Sequence, residues 1–448
     1  MAVNWLAAHY GRPGHPGIEK KSARDTDPWQ ARRVPDANTT QPEPAELGAL
    51  LKRWPVRNLL ISRACASSGA VSMAIAMGTY VYSITDREAD IGFVGLAEFL
   101  PTFLLVLWAG SLADRVDRRK MAAIAYCAEA VVAFVIAWYI TTSYTAVWPL
   151  FAFTALFGVS RGFANPASRA LPANVVARQD LPRLIPVLST MWQMAAVFAP
   201  LTVGALYGIN PAWTFVAIGV MNLVSASTII KVKLIEAQQM ATERPSIRTA
   251  LEGLALVMRT PLLLGAIGLD LIAVLLGGVV ALAPAISDQL VGAGDRGAFL
   301  LRAAGGVGAG VTAAWLARKP IQRNVGRMLL KAVCLFGVFT IAVAYSRHLW
   351  LTLALFALLA ASDMVSVFVR ATIVPLATPD SLRGRVLAVE AVFIGASNEL
   401  GAFESGITAE WFGLVNAIII SGVATIAVVG LFALLMPELR KLDQFSEV

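Results

Sequence analysis

The ionisable residues inside long apolar stretches of the sequence include Asp270, Asp363, Glu399, Arg161 and Arg63. A charge at the centre of a membrane-spanning helix costs about 2.5 to 3.5 kcal/mol on insertion scales, so each is a candidate for function. A desolvated carboxylate can load and unload a proton, which is what proton-coupled transport requires. We predict Asp270 or Asp363 as the coupling acid, with Arg161 as its partner or as an anion contact. A static buried ion pair is the alternative for each residue.

The three acids lie in the second half of the chain and the two arginines in the first. This distribution predicts that a cation faces the acids across a central cavity. Further ionisable residues lie nearer to the expected ends of their apolar segments, where a side chain can reach the interface or find a partner. They are Glu98, Arg302, Glu404, Arg370 and Glu390.

A second set of charged residues forms the motif GSLADRVDRRK, which begins at Gly110. Gly110 allows a close helix approach, and Asp114 can face the positive N-terminal end of another helix. Arg115, Arg118 and Arg119 supply positive charge that can pair with carboxylates. The motif therefore predicts a latch on one side of the molecule.

The expected partner of this motif is the segment PDSLRGRVLAVE from Pro379, which supplies Arg383 and Arg385. A degenerate echo of the motif, WLARKPIQRNVGR from Trp315, occupies the matching loop of the second half. The alternative is that these basic residues only set the orientation of the chain in the membrane.

Enzymatic and metal chemistry find little support in the sequence. The cysteines lie singly in apolar runs and the histidines are scattered through polar segments, so we expect no metal, no cofactor and no enzyme activity. No phosphate-binding Gly-Lys-Ser or Gly-Lys-Thr loop is present, which argues against ATP-driven transport. The residues concerned are Cys65, Cys127, Cys334, His9, His15 and His348.

The elements that must carry these residues are membrane-spanning helices. The chain has 57% hydrophobic and 15% charged residues and a mean hydropathy of +0.67, whereas soluble proteins carry about 25% charged residues. None of the apolar segments alternates as a barrel strand does, so helices are expected. We predict an all-α integral membrane protein of about twelve transmembrane helices in two pseudo-symmetric six-helix bundles. The predicted spans are 57–83, 91–113, 121–141, 147–168, 184–208, 211–233, 261–286, 297–318, 326–346, 349–373, 386–409 and 413–436.

Charge in the loops predicts the orientation. Lys and Arg are concentrated in the even-numbered loops, so the positive-inside rule places these loops and both termini in the cytoplasm. The net charge of +8 therefore fits lipid headgroups, and we expect no nucleic acid as a partner. The expected domains are a disordered cytoplasmic tail (1–55), the two bundles (56–233 and 261–436), a linker with an amphipathic helix on the cytoplasmic face (234–260) and a second tail (437–448).

The basic motif resembles the signature of the major facilitator superfamily. Two weaker features are similar to patterns of that family. SRGFANPA, from Ser160, resembles its fourth-helix pattern with Arg161, and VFAPLTVGALYG resembles its fifth-helix antiporter pattern with Pro200 and Gly204. In the latter, alanines replace two of the usual glycines, at Ala199 and Ala205. Ordinary helix packing is the alternative explanation for these small residues and the proline.

Four further stretches resemble the branch of that superfamily that includes the enterobactin exporter and the transmembrane secretion effectors. They are VGLAEFLPTFLLVLWAGSLADRVDRRK, NPASRALPANVV, RTPLLLGAIGLD and PDSLRGRVLAVEAVF. The resemblance implies proton-driven efflux of siderophores or other small amphiphilic compounds from bacteria, through the inner membrane and as a monomer. Many relatives carry an acid in the first helix where this chain has Ala70 after Gly69. A proton-coupled importer and a non-transporting scaffold or sensor remain the alternatives.

Overall fold

The computed structural model of the chain describes residues 46–113, 115–142, 146–234, 247–379 and 382–447. Within these residues, twelve helices of sixteen residues or more follow one another and no strand is present. Ten are long and apolar enough to cross a membrane. The twelve are α1 (Trp54–Thr85), α2 (Glu88–Ala113), α3 (Arg118–Thr141), α4 (Trp148–Ala170), α5 (Leu181–Tyr207), α6 (Pro211–Ile229), α7 (Pro261–Leu276), α8 (Gly294–Arg318), α9 (Val325–Tyr345), α10 (Leu349–Leu376), α11 (Arg383–Phe412) and α12 (Leu414–Leu435).

Local signals in the sequence set several helix ends. Asp117 caps α3 by accepting a hydrogen bond from the Arg119 backbone N–H, and Asn210 caps α6 in the same way from Ala212. Gly413 separates α11 from α12 with a φ of 82°, a conformation that glycine adopts without a steric penalty. Most of the loops are short, and the long connection is the linker between α6 and α7, which contains the helix Ile247–Arg259.

The packing of the helices repeats after six. In the first bundle α1 packs on α5 and α6, α2 on α4, and α3 on α4 and α6; α7 to α12 form the corresponding contacts in the second. Between the bundles, α2 packs against α11 and α5 against α8, which are equivalent pairs in this repeat. The expected architecture of two pseudo-symmetric six-helix bundles is confirmed.

The seventh predicted span, 261–286, corresponds to the candidate membrane span Pro261–Leu290, whose helix is interrupted. Helix α7 ends at Leu276. After it, the chain forms a 3-10 turn at Gly278–Val280 and then short helical turns as far as Leu290. The break lies against α11, where a Cβ on Gly401 would stand 2.6 Å from the Val274 carbonyl oxygen. Glycine at these positions lets the two backbones touch, and the regular hydrogen bonding of α7 gives way there.

The boundaries of the polar segments also differ from expectation. Residues 1–45 lie outside the described residues, but the rest of the predicted disordered tail is ordered, because the helix Leu47–Lys52 buries Leu50 completely against α1. The linker helix Ile247–Arg259 packs on α11 and buries Val257. The C-terminal helix Pro437–Lys441 packs on the start of α9.

The glycine contact at the α7 break generates a stability prediction. Gly278→Ala places a Cβ against the Gly401 carbonyl oxygen and the Ser405 hydroxyl, and overpacking of this kind costs about 1 to 3 kcal/mol. We expect a lower thermal unfolding midpoint of the purified protein, followed by tryptophan fluorescence. Gly310→Ala is the matched control, because a Cβ at Gly310 meets no atom within 4 Å. Equal midpoints for the two variants would contradict this packing.

Candidate functional site

A cavity of about 500 Å³ lies between the two bundles, about halfway along the helices. Its wall is mostly small and apolar and includes the α7 break at Gly277 and Gly278. The ionisable side chains that line it, among the described residues, are Glu98, Arg302, Asp363 and Glu399. The size and the mixture of an apolar wall with a few charges suit a small organic ligand.

The cavity is closed at the helix ends where the loops are poor in basic residues, which we call the outer face. Here Arg87 on the α1–α2 turn pairs with Glu410 of α11 at 3.2 Å. Gln289 donates hydrogen bonds to Tyr82 (3.0 Å) and to Glu88 (2.6 Å). Each contact joins one bundle to the other. The outer ends of the bundles are therefore fastened together.

Glycines bring the α2 and α11 backbones together near this face. A Cβ on Gly92 would stand 2.8 Å from the Phe403 Cα, and one on Gly406 would stand 3.4 Å from the Ala89 Cα. The equivalent α5–α8 contact includes Gly204, where a Cβ would stand 2.7 Å from the Phe299 Cβ. Pro200 lies one turn earlier on α5 and lines the cavity. Close packing at the predicted fifth-helix motif is thus present.

The opposite, basic face carries the residues of the predicted latch, several of which have contacts within their own bundle or with the linker helix. Arg118 donates to the Asn174 side chain at 3.0 Å, and Arg119 pairs with Asp117 at 2.7 Å. Arg385 pairs with Glu252 of the linker helix, and Arg383 donates to the Pro375 carbonyl oxygen at 3.1 Å. Arg115 is exposed, and Asp114 lies outside the described residues.

Gly110 does not have the expected environment. A Cβ there would meet no atom within 4 Å, so the close helix approach predicted at this residue is wrong in this conformation. The reason is that the contacts between α2 and the other bundle lie toward its outer end, far from Gly110. The burial at this end of α2 is within the first bundle, where Ala109 and Ala113 pack.

The Arg119–Asp117 pair has an electrostatic consequence outside the membrane-spanning segments. The hydrogen bond from the Arg119 side chain lowers the pKa of the Asp117 carboxyl below its ordinary value. The pair therefore contributes stability above the unfolded pKa of about 3.9 and loses it as the pH falls through the lower folded value. Both side chains are partly exposed, so the contribution is small.

Inside the first bundle, Arg161 of α4 forms an ion pair with Glu98 of α2. Glu129 of α3 is buried and is a further electrostatic neighbour of Arg161. Glu399 reaches this cluster from the second bundle: its Oε2 atom lies 2.9 Å from the position of a Cβ on Gly95, one turn before Glu98. A carboxylate of one bundle is thus seated against the charged cluster of the other.

Inside the second bundle, Arg370 of α10 is shared by two carboxylates. It pairs with Asp270 of α7 and, at 3.2 Å, with Glu390 of α11. All three residues are buried. Asp270 contacts a separate void of about 10 Å³, whose lining it shares with Asp363 and Ser366, and it does not line the main cavity. Its geometry matches the static-pair alternative.

Of the three acids expected to face the arginines of the first bundle, Glu399 has Arg161 as an electrostatic neighbour. Asp270 is paired with Arg370 instead, and Asp363 forms no ion pair with either arginine. Arg161 forms an ion pair with Glu98 of its own bundle, and Arg63 donates a hydrogen bond to the Ser168 hydroxyl at 3.0 Å. The one sequence signal for Glu98 as the partner of Arg161 is that Glu98 is itself an ionisable residue in an apolar run. Glu98 was not chosen as a candidate because it lies toward one end of the expected span.

Arg302 of α8 was set aside for the same reason, yet it lines the cavity. Its Nε atom is buried and forms no hydrogen bond to any described residue. Glu399 is its electrostatic neighbour. Arg302 and Arg161 thus flank the Glu399 carboxylate from different bundles.

A model of the family described as transmembrane secretion effectors matches residues 49–447. The chain belongs to this family of the major facilitator superfamily. It is therefore a membrane transporter by family, with no enzyme among the proteins it resembles. Among curated proteins, none matches its sequence significantly.

Solved structures confirm the fold of the transporter. The nucleoside transporter NupG has 14% sequence identity and a TM-score of 0.64, with 85% of this chain and 98% of that chain covered. A bacterial homologue of the human lysosomal transporter Spinster, in an inward-facing and occupied conformation, has 13% identity and a TM-score of 0.65, with coverage of 85% and 95%. A POT family transporter in complex with 5-aminolevulinic acid has 11% identity and a TM-score of 0.66, with coverage of 86% and 96%.

The Arg370 cluster of the transporter generates the second prediction. Arg370→Gln leaves Asp270 and Glu390 buried without a cation, and breaking a buried pair in this way costs about 3 to 5 kcal/mol. We expect a large loss of thermal stability in lipid nanodiscs. Adding Asp270→Asn and Glu390→Gln to the same chain removes the unpaired charges and should restore most of that loss.

Arg327→Gln is the matched control, because Arg327 is exposed on α9 and the chemical change is the same. A native midpoint for Arg370→Gln, or no recovery in the triple variant, would contradict the assignment of a buried charge cluster.

Proposed function

We propose that this chain is a proton-coupled exporter of a small amphiphilic compound that works by alternating access as a monomer. The observation that carries the proposal is the position of Glu399, a second-bundle carboxylate seated beside the Arg161–Glu98 pair of the first bundle. Such a group links the protonation of the cavity to the attraction between the bundles.

The coupling follows from simple electrostatics. When ionised, Glu399 is repelled by Glu98 and attracted by Arg161 across the interface between the bundles, and it is attracted by Arg302 within its own bundle. Protonation removes these interactions, which are strong because the site is enclosed and poorly solvated. The electrostatic balance at the α2–α11 contact then changes, and with it the preferred arrangement of the bundles. Rocking of one bundle against the other around a fixed central site is how such repeats achieve alternating access.

The proposed orientation puts the basic face and both termini in the cytoplasm of a bacterium, according to the positive-inside rule. Since the outer ends are fastened together, the conformation described above corresponds to a cavity that exchanges with the cytoplasm. We propose that the latch of Asp114, Arg118 and Arg119 with the Arg383–Arg385 segment forms in the other conformation, when the basic ends of the bundles meet.

Export is favoured by the family, whose members are described as secretion effectors. The resemblance to the branch of the enterobactin exporter favours a siderophore or a drug-like compound as the substrate. The close packing of the fifth-helix motif at Gly204 against Phe299 is in keeping with an antiporter, in which a loose α5–α8 contact would let ions leak. The carboxylates that handle the proton are proposed to be Glu399 and Asp363, with Asp270 held in its ion pair.

The test is energised uptake into inside-out vesicles that contain the chain, with an imposed inside-acid gradient and a panel of catecholate siderophores and amphiphilic drugs. We expect one or more compounds to accumulate only with the gradient. Glu399→Gln should abolish gradient-driven accumulation because its carboxylate can no longer gain and lose the proton.

Glu438→Gln provides the matched control, since Glu438 is exposed on the C-terminal helix Pro437–Lys441, and it should retain most of the activity. Accumulation driven by the opposite gradient would indicate an importer. Absence of transport in both orientations, with nutrients added to the panel, would contradict a transport function.

A further inference from the structure

Of the carboxylates that line the cavity, Asp363 is the one without a positively charged partner among the described residues. Glu98 is paired with Arg161, and Glu399 has Arg161 and Arg302 as electrostatic neighbours. Asp363 of α10 forms no ion pair or hydrogen bond with any described residue, although it lines the cavity. It is therefore the carboxylate for which the protein itself supplies no counter-charge.

The surroundings of Asp363 are apolar and aromatic. Phe336 of α9 lines both the main cavity and the small void that Asp363 also contacts. Phe356, two turns before Asp363 on α10, is fully buried and also lines the cavity, as do Leu359 and Ala360. A carboxylate beside aromatic rings in an enclosed apolar wall is the environment that binds organic ammonium groups, because the rings add cation–π attraction.

The ionisable groups on the elements around Asp363 carry both signs, but each cation among them already has a carboxylate neighbour. The charged groups on the elements packed against α10 include Asp270 of α7, Arg302 of α8 and Glu399 of α11, with Arg370 on α10 itself. Arg370 is shared by two acids and Arg302 has Glu399. An anionic ligand would add to an excess of negative charge, whereas a cation would neutralise it.

We propose that Asp363 binds the ammonium group of an amphiphilic organic cation whose apolar body occupies the cavity beside Phe336 and Phe356. The volume of about 500 Å³ lies within the range of roughly 300 to 1,000 Å³ that holds drug-sized ligands. The inference rests on the proposed export function and deepens it. A proton and a cation compete for the same carboxylate, and such competition is what an antiporter requires.

The experiment compares three probes that share one apolar body: 2-naphthylmethylamine, 2-naphthylmethanol and 2-naphthoate. Each is titrated into the purified full-length chain in lipid nanodiscs, and binding is measured by equilibrium dialysis with empty nanodiscs subtracted. We expect the amine to bind more tightly than the alcohol and the carboxylate by about tenfold or more. Its affinity should fall as the pH is lowered, because the proton occupies Asp363.

Asp363→Asn should remove the advantage of the amine over the alcohol while leaving the affinity for the alcohol unchanged, and Asp363→Glu should restore part of it. Asp288→Asn is the matched control because Asp288 is exposed on the outer face. Preferential binding of the carboxylate, or an amine preference that survives in Asp363→Asn, would overturn the proposal.

The outcomes separate this inference from the function on which it rests. If the alcohol or the carboxylate binds and the amine does not, the cation assignment is overturned. If that binding is lost when Gly305→Trp fills the cavity, the cavity itself is still a ligand site for transport. Selective binding of the amine together with no transport in either vesicle orientation supports the cation site and refutes the exporter.

Discussion

A charge inside a membrane-spanning bundle must find a partner or lose its charge, and this constraint organises the interior of the protein. In each bundle the central charge is an arginine on the fourth helix. Arg161 of α4 forms an ion pair with Glu98, and Arg370 of α10 forms ion pairs with Asp270 and Glu390. Because guanidinium groups stay protonated in proteins, these two residues are permanent charges around which carboxylates of neighbouring helices gather.

The two arginine clusters differ in their access to the cavity. We assign a structural role to the enclosed cluster and a functional role to the one that faces the cavity. The Arg370 cluster is closed within the second bundle, so its charges hold α7, α10 and α11 together. The Arg161 cluster is open to the cavity and to Glu399 of the other bundle. Only the open cluster can respond both to what enters the cavity and to the distance between the bundles. Glycine contacts near the outer face then let α2 and α11 approach closely enough for that response.

The sequence predicts the helices well and their charged partners poorly, and the reason is geometric. Apolar runs of spanning length determine that helices form and roughly where they end, so eleven of the twelve segments match a helix within a few residues, and the seventh contains the break after Leu276. The partner of Arg161 depends on which face of α2 turns toward α4, and hydropathy carries little information about this in a helix that is apolar all round. Glu98 was set aside because it lies toward one end of the predicted span. The break in α7 had a signal that went unused, namely adjacent glycines at Gly277 and Gly278 followed by Pro284.

The most direct test of the account measures distances across both faces of the same molecule by double electron–electron resonance, after replacement of Cys65, Cys127 and Cys334. One spin-labelled pair, at the exposed residues Ile209 and Trp350, spans the outer face; the other, at Lys120 and Lys319, spans the basic face. The account predicts that a change from mildly alkaline to mildly acidic buffer moves the two distance distributions in opposite directions, and that Glu399→Gln fixes them in the acidic pattern. Distributions that stay unchanged, or that shift together, would contradict alternating access controlled by a proton in the cavity.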